Sequence, residues 1–276
     1  MPIKTLLFRS LVYTLAMWLI WLLLNHILTG QVWEGMLISK SALVVEYCEF
    51  NHTNRFFHQS SNTYSNLIYF FLGVLICHIA QYDYQNSKLE NVSKLQRFPM
   101  LSALMGFCFV YLSFGSAFFH ASLTWLGQRI DMNGTYSISI TLLGIGLYHI
   151  LYKSEPAKRI KKYWIFTLVF IILAFVQIHL WVSSSLLIPI LVLFQLIFIL
   201  LYYFINKQKN SLFLGIFSFV LLVIALKIRT LDVQKIGCNP HSFFQGHSVW
   251  HLLTGLSSFC SYCFYRFSKQ IKLPIV

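Results

Sequence analysis

Apolar residues run along this chain in long stretches, broken by short clusters of charge. A helix needs about 20 mainly apolar residues to cross a bilayer. Eight stretches reach or approach that length: 5–28, 63–80, 99–120, 131–152, 163–181, 185–205, 211–228 and 247–267. The pattern predicts an all-α fold, an integral membrane helical bundle. The fifth and sixth stretches meet around 182–184, so they must turn back as a tight helical hairpin.

Composition strengthens this picture. The chain has 276 residues, of which 57% are hydrophobic and 11% charged. A soluble domain carries about 25% charged residues, so this chain is too poor in charge to cover a water-facing surface. Its length suits one membrane domain with no separate soluble domain. No internal repeat or low-complexity segment is evident. The formal net charge of +13 does not point to nucleic acid. The basic residues sit in short clusters between apolar runs, as cytoplasmic loops do.

Those clusters set the orientation. With the N-terminus inside, most Lys and Arg residues fall on inside segments, among them Lys88, Lys153, Lys207, Lys269 and Lys272. Lys40, Arg55, Arg129, Lys227, Arg229 and Lys235 fall outside. The bias predicts both termini on the cytoplasmic side. The first stretch follows Lys4 and carries Arg9, like a signal peptide, but it is longer than an h-region of about 7–15 residues and lacks a small-residue cleavage site. It is read as a retained helix. Cys48 and Cys238 both fall outside, where a disulfide persists, so they are candidates to pair. Cys260-x-x-Cys263 has redox or metal spacing, but small residues on a membrane helix explain it better.

Ionisable residues inside membrane segments are costly and usually functional. The third stretch ends Gly115-Ser116-Ala117-Phe118-Phe119-His120, with Ser116 and His120 on one helix face. The next helix is expected to open at Asp131 after a loop of about ten residues. The last opens Gly246-His247-Ser248-Val249-Trp250-His251, with His247 and His251 again sharing a face. The orientation puts all five polar residues at one outer level. Three neutral imidazoles are a catalytic zinc set with a fourth position kept for water. Such a zinc lowers the pKa of its water to about 7, a carboxylate moves the proton, and a hydroxyl donates to the oxyanion. His120, His247 and His251 are the candidate ligands, Asp131 the candidate base and acid, and Ser116 the candidate oxyanion donor. A lone His-x-x-x-His pair also suits packing, interhelical hydrogen bonding or haem. His78, His149 and His179 have no partner in the pattern and are read as interior or interfacial.

At these residues the sequence resembles the alkaline ceramidase family, within the superfamily that also holds the adiponectin and progestin receptors and GPI-remodelling lipases. The resemblance rests on Gly115-Ser116-x-x-x-His120, Asp131 eleven residues on, and Gly246-His247-x-x-Trp250-His251-x-x-Thr254-Gly255. It spans about 46–267. It implies a seven-helix core over 31–276, with one extra N-terminal transmembrane helix in 1–30. It also implies zinc-dependent cleavage of ceramide-like N-acyl lipids to fatty acid and sphingoid amine, on the periplasmic or lumenal side. The partners implied are the lipid substrate and the bilayer. Glu46-Tyr47-Cys48-Glu49-Phe50-Asn51 and the Asn62-Thr63 block resemble that family's calcium segment, which makes Glu46, Tyr47, Glu49, Asn51 and Gln59 candidate calcium ligands. Gln59 stands where the family has an acidic residue, and Ser60 and Ser61 where it has aromatic ones. Cys48 and Cys238 fall at family cysteines, which favours their pairing. Two other readings of the cluster remain: a hydrolase of another lipid amide or ester, and a receptor-like or transport bundle with structural zinc.

Overall fold

A computed structural model describes residues 2–86, 92–152, 156–206 and 209–268. Lys88, Lys153, Lys207, Lys269 and Lys272 of the orientation argument lie outside the described residues, as does the side chain of His179. Eight long helices form the body. They are α1 (Ile3–Ile27), α4 (Leu67–Gln85), α5 (Pro99–Ser122), α6 (Trp125–Leu151), α7 (Lys158–Trp181), α8 (Ser184–Asn206), α9 (Lys209–Val233) and α10 (Gly246–Phe267). Two short helices, α2 (Lys40–Leu43) and α3 (Ser60–Ser65), sit in the segment between α1 and α4. Among the described residues β pairing is limited to isolated bridges at Thr29–Arg55 and Ile38–Thr124.

The protein is a multi-pass membrane protein. Among the described residues, seven spans are long and apolar enough to cross a bilayer: α1, the continuous α3–α4 unit, and α5 to α9. Phe166 and Phe170 on α7, Leu193 and Phe204 on α8 and Phe213 on α9 are exposed. A lipid solvent accepts such side chains, whereas water would not. The 22-residue α10 has the length of a span but turns His247, His251, Ser257, Ser261 and Arg266 inward. That interior polar stripe lowers its hydropathy. The core lies between α4, α5, α6 and α10, around Ile76, Met105, Phe109, Tyr136, Ile145 and Tyr262.

Local chemistry moves two boundaries from those that hydropathy predicts. Pro99 starts α5 at a position where its missing N–H costs nothing. Leu123 then ends α5 in a left-handed turn, φ 53°. Thr124 follows as N-cap of α6, its hydroxyl accepting from the Gly127 N–H at 3.1 Å. The expected ten-residue loop is therefore a two-residue turn, and α6 begins at Trp125 rather than Asp131. Asp131 thus lies six residues into α6, about 9 Å below its start. Ser116 lies six residues from the end of α5, so the antiparallel pair holds the two at one depth. Glycines let these helices close. A Cβ on Gly115 would stand 2.9 Å from the Ile130 side chain, and one on Gly134 would stand 2.8 Å from the Leu112 Cα. Likewise, α9 runs to Val233 rather than 228, which places Arg229 and Asp232 at its C-terminal end.

The end of the bundle away from His120, His247 and His251 is tied by a buried ion pair. Arg266 on α10 donates through Nη2 to Asp83 Oδ1 on α4 at 2.8 Å, with both side chains at 3% exposure or less. The end that holds the histidines is tied by the Cys48–Cys238 disulfide, which links the segment before α3 to the loop before α10. That pairing is the one expected.

Candidate metal centre

His120 lies in the last turn of α5, and His247 and His251 open α10 on one face. All three are buried, at 0%, 4% and 3% exposure. One ring nitrogen from each lies within 4.8 Å of the other two. The His120 and His247 Nε2 atoms are 3.2 Å apart. That spacing suits an N–H···N hydrogen bond between the rings and equally a shared cation, because zinc–nitrogen bonds of about 2.0–2.1 Å at a tetrahedral angle separate two nitrogens by about 3.3 Å. The donor set fits zinc.

The tautomers are set by neighbouring groups. Gln59 Oε1 only accepts, so His120 Nδ1–H donates to it at 2.7 Å, which turns the Nε2 lone pair into the cluster. The Ser65 hydroxyl spends its proton on the Asn62 carbonyl at 2.8 Å. Its oxygen therefore accepts from His251 Nδ1–H, 2.7 Å away, and again Nε2 is free. His247 is held by close ring contact, with the tilted Tyr47 ring 3.8 Å away between centroids. Orienting partners of this kind fix ring angle and raise ligand basicity. The sequence reading missed Ser65 and the bond from His120 to Gln59. The nearness of Ser65 to the Asn62-Thr63 block was the available signal.

Asp131 is not one of the three converging groups. It takes a hydrogen bond from Ser116, and its charge is felt by Tyr47 and Tyr69. The Tyr47 ring packs on His247 and the Tyr69 ring on His251. Asp131 and Ser116 thus stand together beside the histidine cluster, with Ser116 buried and Asp131 partly accessible. Arg229, read from the sequence as a loop charge, reaches the same region from α9. It pairs with Glu46 at 3.0 Å, donates to Tyr47 and lies over the Trp250 ring at 5.8 Å. Its signal was a cation four residues inside an apolar helix end.

The five candidate calcium residues are close in space but engaged with the protein. The Glu46 carboxylate pairs with Arg229. The Tyr47 carbonyl accepts from Lys235, which also bonds the Val45 and Glu46 carbonyls at 2.8 and 3.2 Å. The Glu49 carboxylate accepts the Ser61 and Asn62 N–H groups at 2.7 and 2.8 Å and so caps α3. Gln59 Nε2 donates to Asn51 Oδ1 at 2.7 Å, and Gln59 Oε1 accepts from Asn62 as well as from His120. Burial pushes the Glu49 carboxyl up to about 7, opposed by its two N–H bonds and assisted by the charge of Asp232. Burial also raises the Tyr47 hydroxyl, with the Glu46 charge adding to it.

Compared with known proteins, residues 40–273 match a family model described as Ceramidase. No curated protein matches this chain.

Proposed function

The chain belongs to the ceramidase family, whose members are hydrolases acting on amide bonds, and from that premise we propose that it is a zinc-dependent amidohydrolase of ceramide-like N-acyl lipids. His120, His247 and His251 are the ligands. The convergence of their three buried nitrogens carries the reading. Zinc in such a set supplies Lewis acidity and an acidified water.

The remaining work falls to this chain's own groups. Asp131, partly accessible, takes a proton from water as the amide is attacked. It then delivers that proton to the departing nitrogen. Ser116 donates its one proton to the Asp131 carboxylate at rest; once Asp131 has taken the proton from water, the Ser116 hydroxyl is free to turn and donate to the oxygen that gains charge. Arg229 and Tyr47 line the outer approach. An apolar surface suited to an acyl chain lies elsewhere in the bundle, with no site residue in its lining. A cleft of about 340 Å³ opens between α8 and α9, lined by Leu196, Leu200, Leu212, Ile216, Val220 and Ile224. In this reading 31–276 is the hydrolase domain, both termini face the cytoplasm, and the site faces the periplasm or lumen.

Calcium does not fit the arrangement. It takes six to eight oxygens. Here the candidate oxygens are bonded to protein donors, and the cations of Arg229 and Lys235 already stand among them. No step is assigned to calcium.

The test is fatty-acid release by the purified protein from ceramides, other N-acyl amides and phospholipids. Ceramide is cleaved in preference, and Asp131→Asn lowers turnover at least 100-fold, in line with loss of a positioned acid–base group. Equal turnover in that variant removes Asp131 from the mechanism. Cleavage of phospholipid alone refutes the amide reading.

A further inference from the structure

We propose that α1, which lies outside the family match at 40–273, positions the metal ligand His120, with Asn25 as the positioning residue. The proposal rests on the metal reading above, and it assigns a role in the site to a helix that the family core does not include.

The path is short. Residues 55–59 run from the outer end of α1 to the outer end of α5. At one side, Asn25 Oδ1 accepts the Phe57 N–H at 2.9 Å. At the other, His58 N–H and Gln59 N–H donate to the carbonyls of Ala121 and His120, both at 3.0 Å. These two bonds satisfy last-turn carbonyls of α5 that the helix itself leaves open. Gln59 then accepts from His120 Nδ1. Only His58 separates the residue held by α1 from the residue that orients the ligand.

Packing reinforces the path. Trp21 on α1 is 5% exposed and clusters with Phe56, Phe57, Ala117 and Ala121. Ala117 and Ala121 directly follow Ser116 and His120 on α5. The Trp21 ring meets Phe57 and Phe114 edge-on at 6.3 and 6.4 Å. Beyond α1 the chain stays on the same segment. Trp33 Nε1 donates to the Phe56 carbonyl at 2.8 Å. Gly30 lies so close to Thr53 that a Cβ would stand 1.9 Å from its carbonyl oxygen.

Docking of α1 is separable from this role. Its inner half holds α4 through Ser10, whose hydroxyl is 3.1 Å from His78 Nδ1, and through Leu6 against Leu75 and Ile79. Those contacts lie at the opposite end of the helix from Asn25. A variant there loosens the helix without touching the 55–59 segment.

The experiment uses the full chain and zinc alone as probe, with affinity measured by competition against a chromophoric chelator. Asn25→Leu removes the acceptor and leaves the Phe57 N–H without a partner. Loss of an outer partner of a metal ligand typically weakens binding 10–100-fold, and this contact is one step further out. The expected loss is about tenfold, with faster hydrogen exchange over 56–59. Asn25→Asp keeps an acceptor and stays near wild type. Ser10→Ala lowers thermal stability and leaves zinc affinity unchanged. If Asn25→Leu does not purify folded, Asn25→Ser, with a shorter acceptor, must show the same loss at smaller amplitude. Unchanged affinity in Asn25→Leu, or in Asn25→Ser where the leucine variant does not fold, while wild type binds zinc overturns the proposal. So does an equal loss in Ser10→Ala. Folded wild type that takes up no zinc refutes the metal reading itself.

Discussion

Replacing Gln59 by leucine removes the acceptor of His120, together with the bonds of Gln59 to Asn51 and Asn62. Leucine nearly keeps the volume but removes the oxygen that accepts from His120 Nδ1 at 2.7 Å. His120 is fully buried, so no water takes the place of that oxygen. A buried donor left unsatisfied costs about 1–3 kcal/mol. The penalty is relieved if the ring shifts its proton to Nε2, which is the atom that must face the metal. Either outcome falls on zinc affinity. Outer partners of zinc-binding histidines are worth about 10–100-fold in affinity, or about 1.4–2.7 kcal/mol, which agrees with the hydrogen-bond figure. Gln59→Leu is therefore expected to weaken zinc by 10–100-fold in chelator competition. Gln59→Glu is the matched control. It keeps the acceptor, adds charge and is expected to bind zinc as tightly as wild type or more tightly. Both variants lose the bond to Asn51 Oδ1, so a fall in stability common to both is set aside. Equal zinc affinity in Gln59→Leu and wild type refutes the orienting role.

Three further outcomes follow from other parts of the molecule. Asp83→Asn breaks the buried pair with Arg266, which costs about 3–5 kcal/mol. It lowers the melting temperature while zinc content stays at the wild-type level, because the pair lies at the end of the bundle away from the histidines; loss of zinc in that variant contradicts the two-ended description. Glu49 has a folded pKa of about 7 against 4.5, so its contribution to stability is present below about pH 4.5 and lost as pH rises through 7. The amount is about 3 kcal/mol. Melting temperature between pH 5 and 8 must therefore fall more steeply in wild type than in Glu49→Gln, and parallel slopes exclude Glu49 as the cause. Finally, hydrolysis stays unchanged on chelation of calcium with EGTA and on calcium addition. Activity that is lost to EGTA and restored by calcium returns the 46–59 segment to a calcium role.

Much of the architecture was legible because a bilayer demands long apolar runs. All eight stretches became helices, and the tight hairpin at 182–184 is the turn between α7 and α8. The histidines were legible because two of them lie four apart on one helix and the third ends another. What hydropathy missed was local capping and long-range contact. Thr124 starts α6 two turns before Asp131 because its hydroxyl caps Gly127, and no hydropathy window sees a cap. Arg229 looked like a loop cation until α9 extended under it. The oxygen candidates from Glu46 to Gln59 were found as a group, yet their partners come from α3, α9 and the loop after it, up to 189 residues away. The link from Asn25 to Phe57 belongs to the same class: neither residue has a neighbour in sequence that announces the other.

The central claim is that His120, His247 and His251 hold one zinc ion. Metal analysis of the purified, folded protein tests it most directly. The account predicts one zinc per chain in wild type and none in His247→Ala/His251→Ala. Folded wild type without zinc or another divalent ion, or a double variant that keeps its zinc, contradicts it.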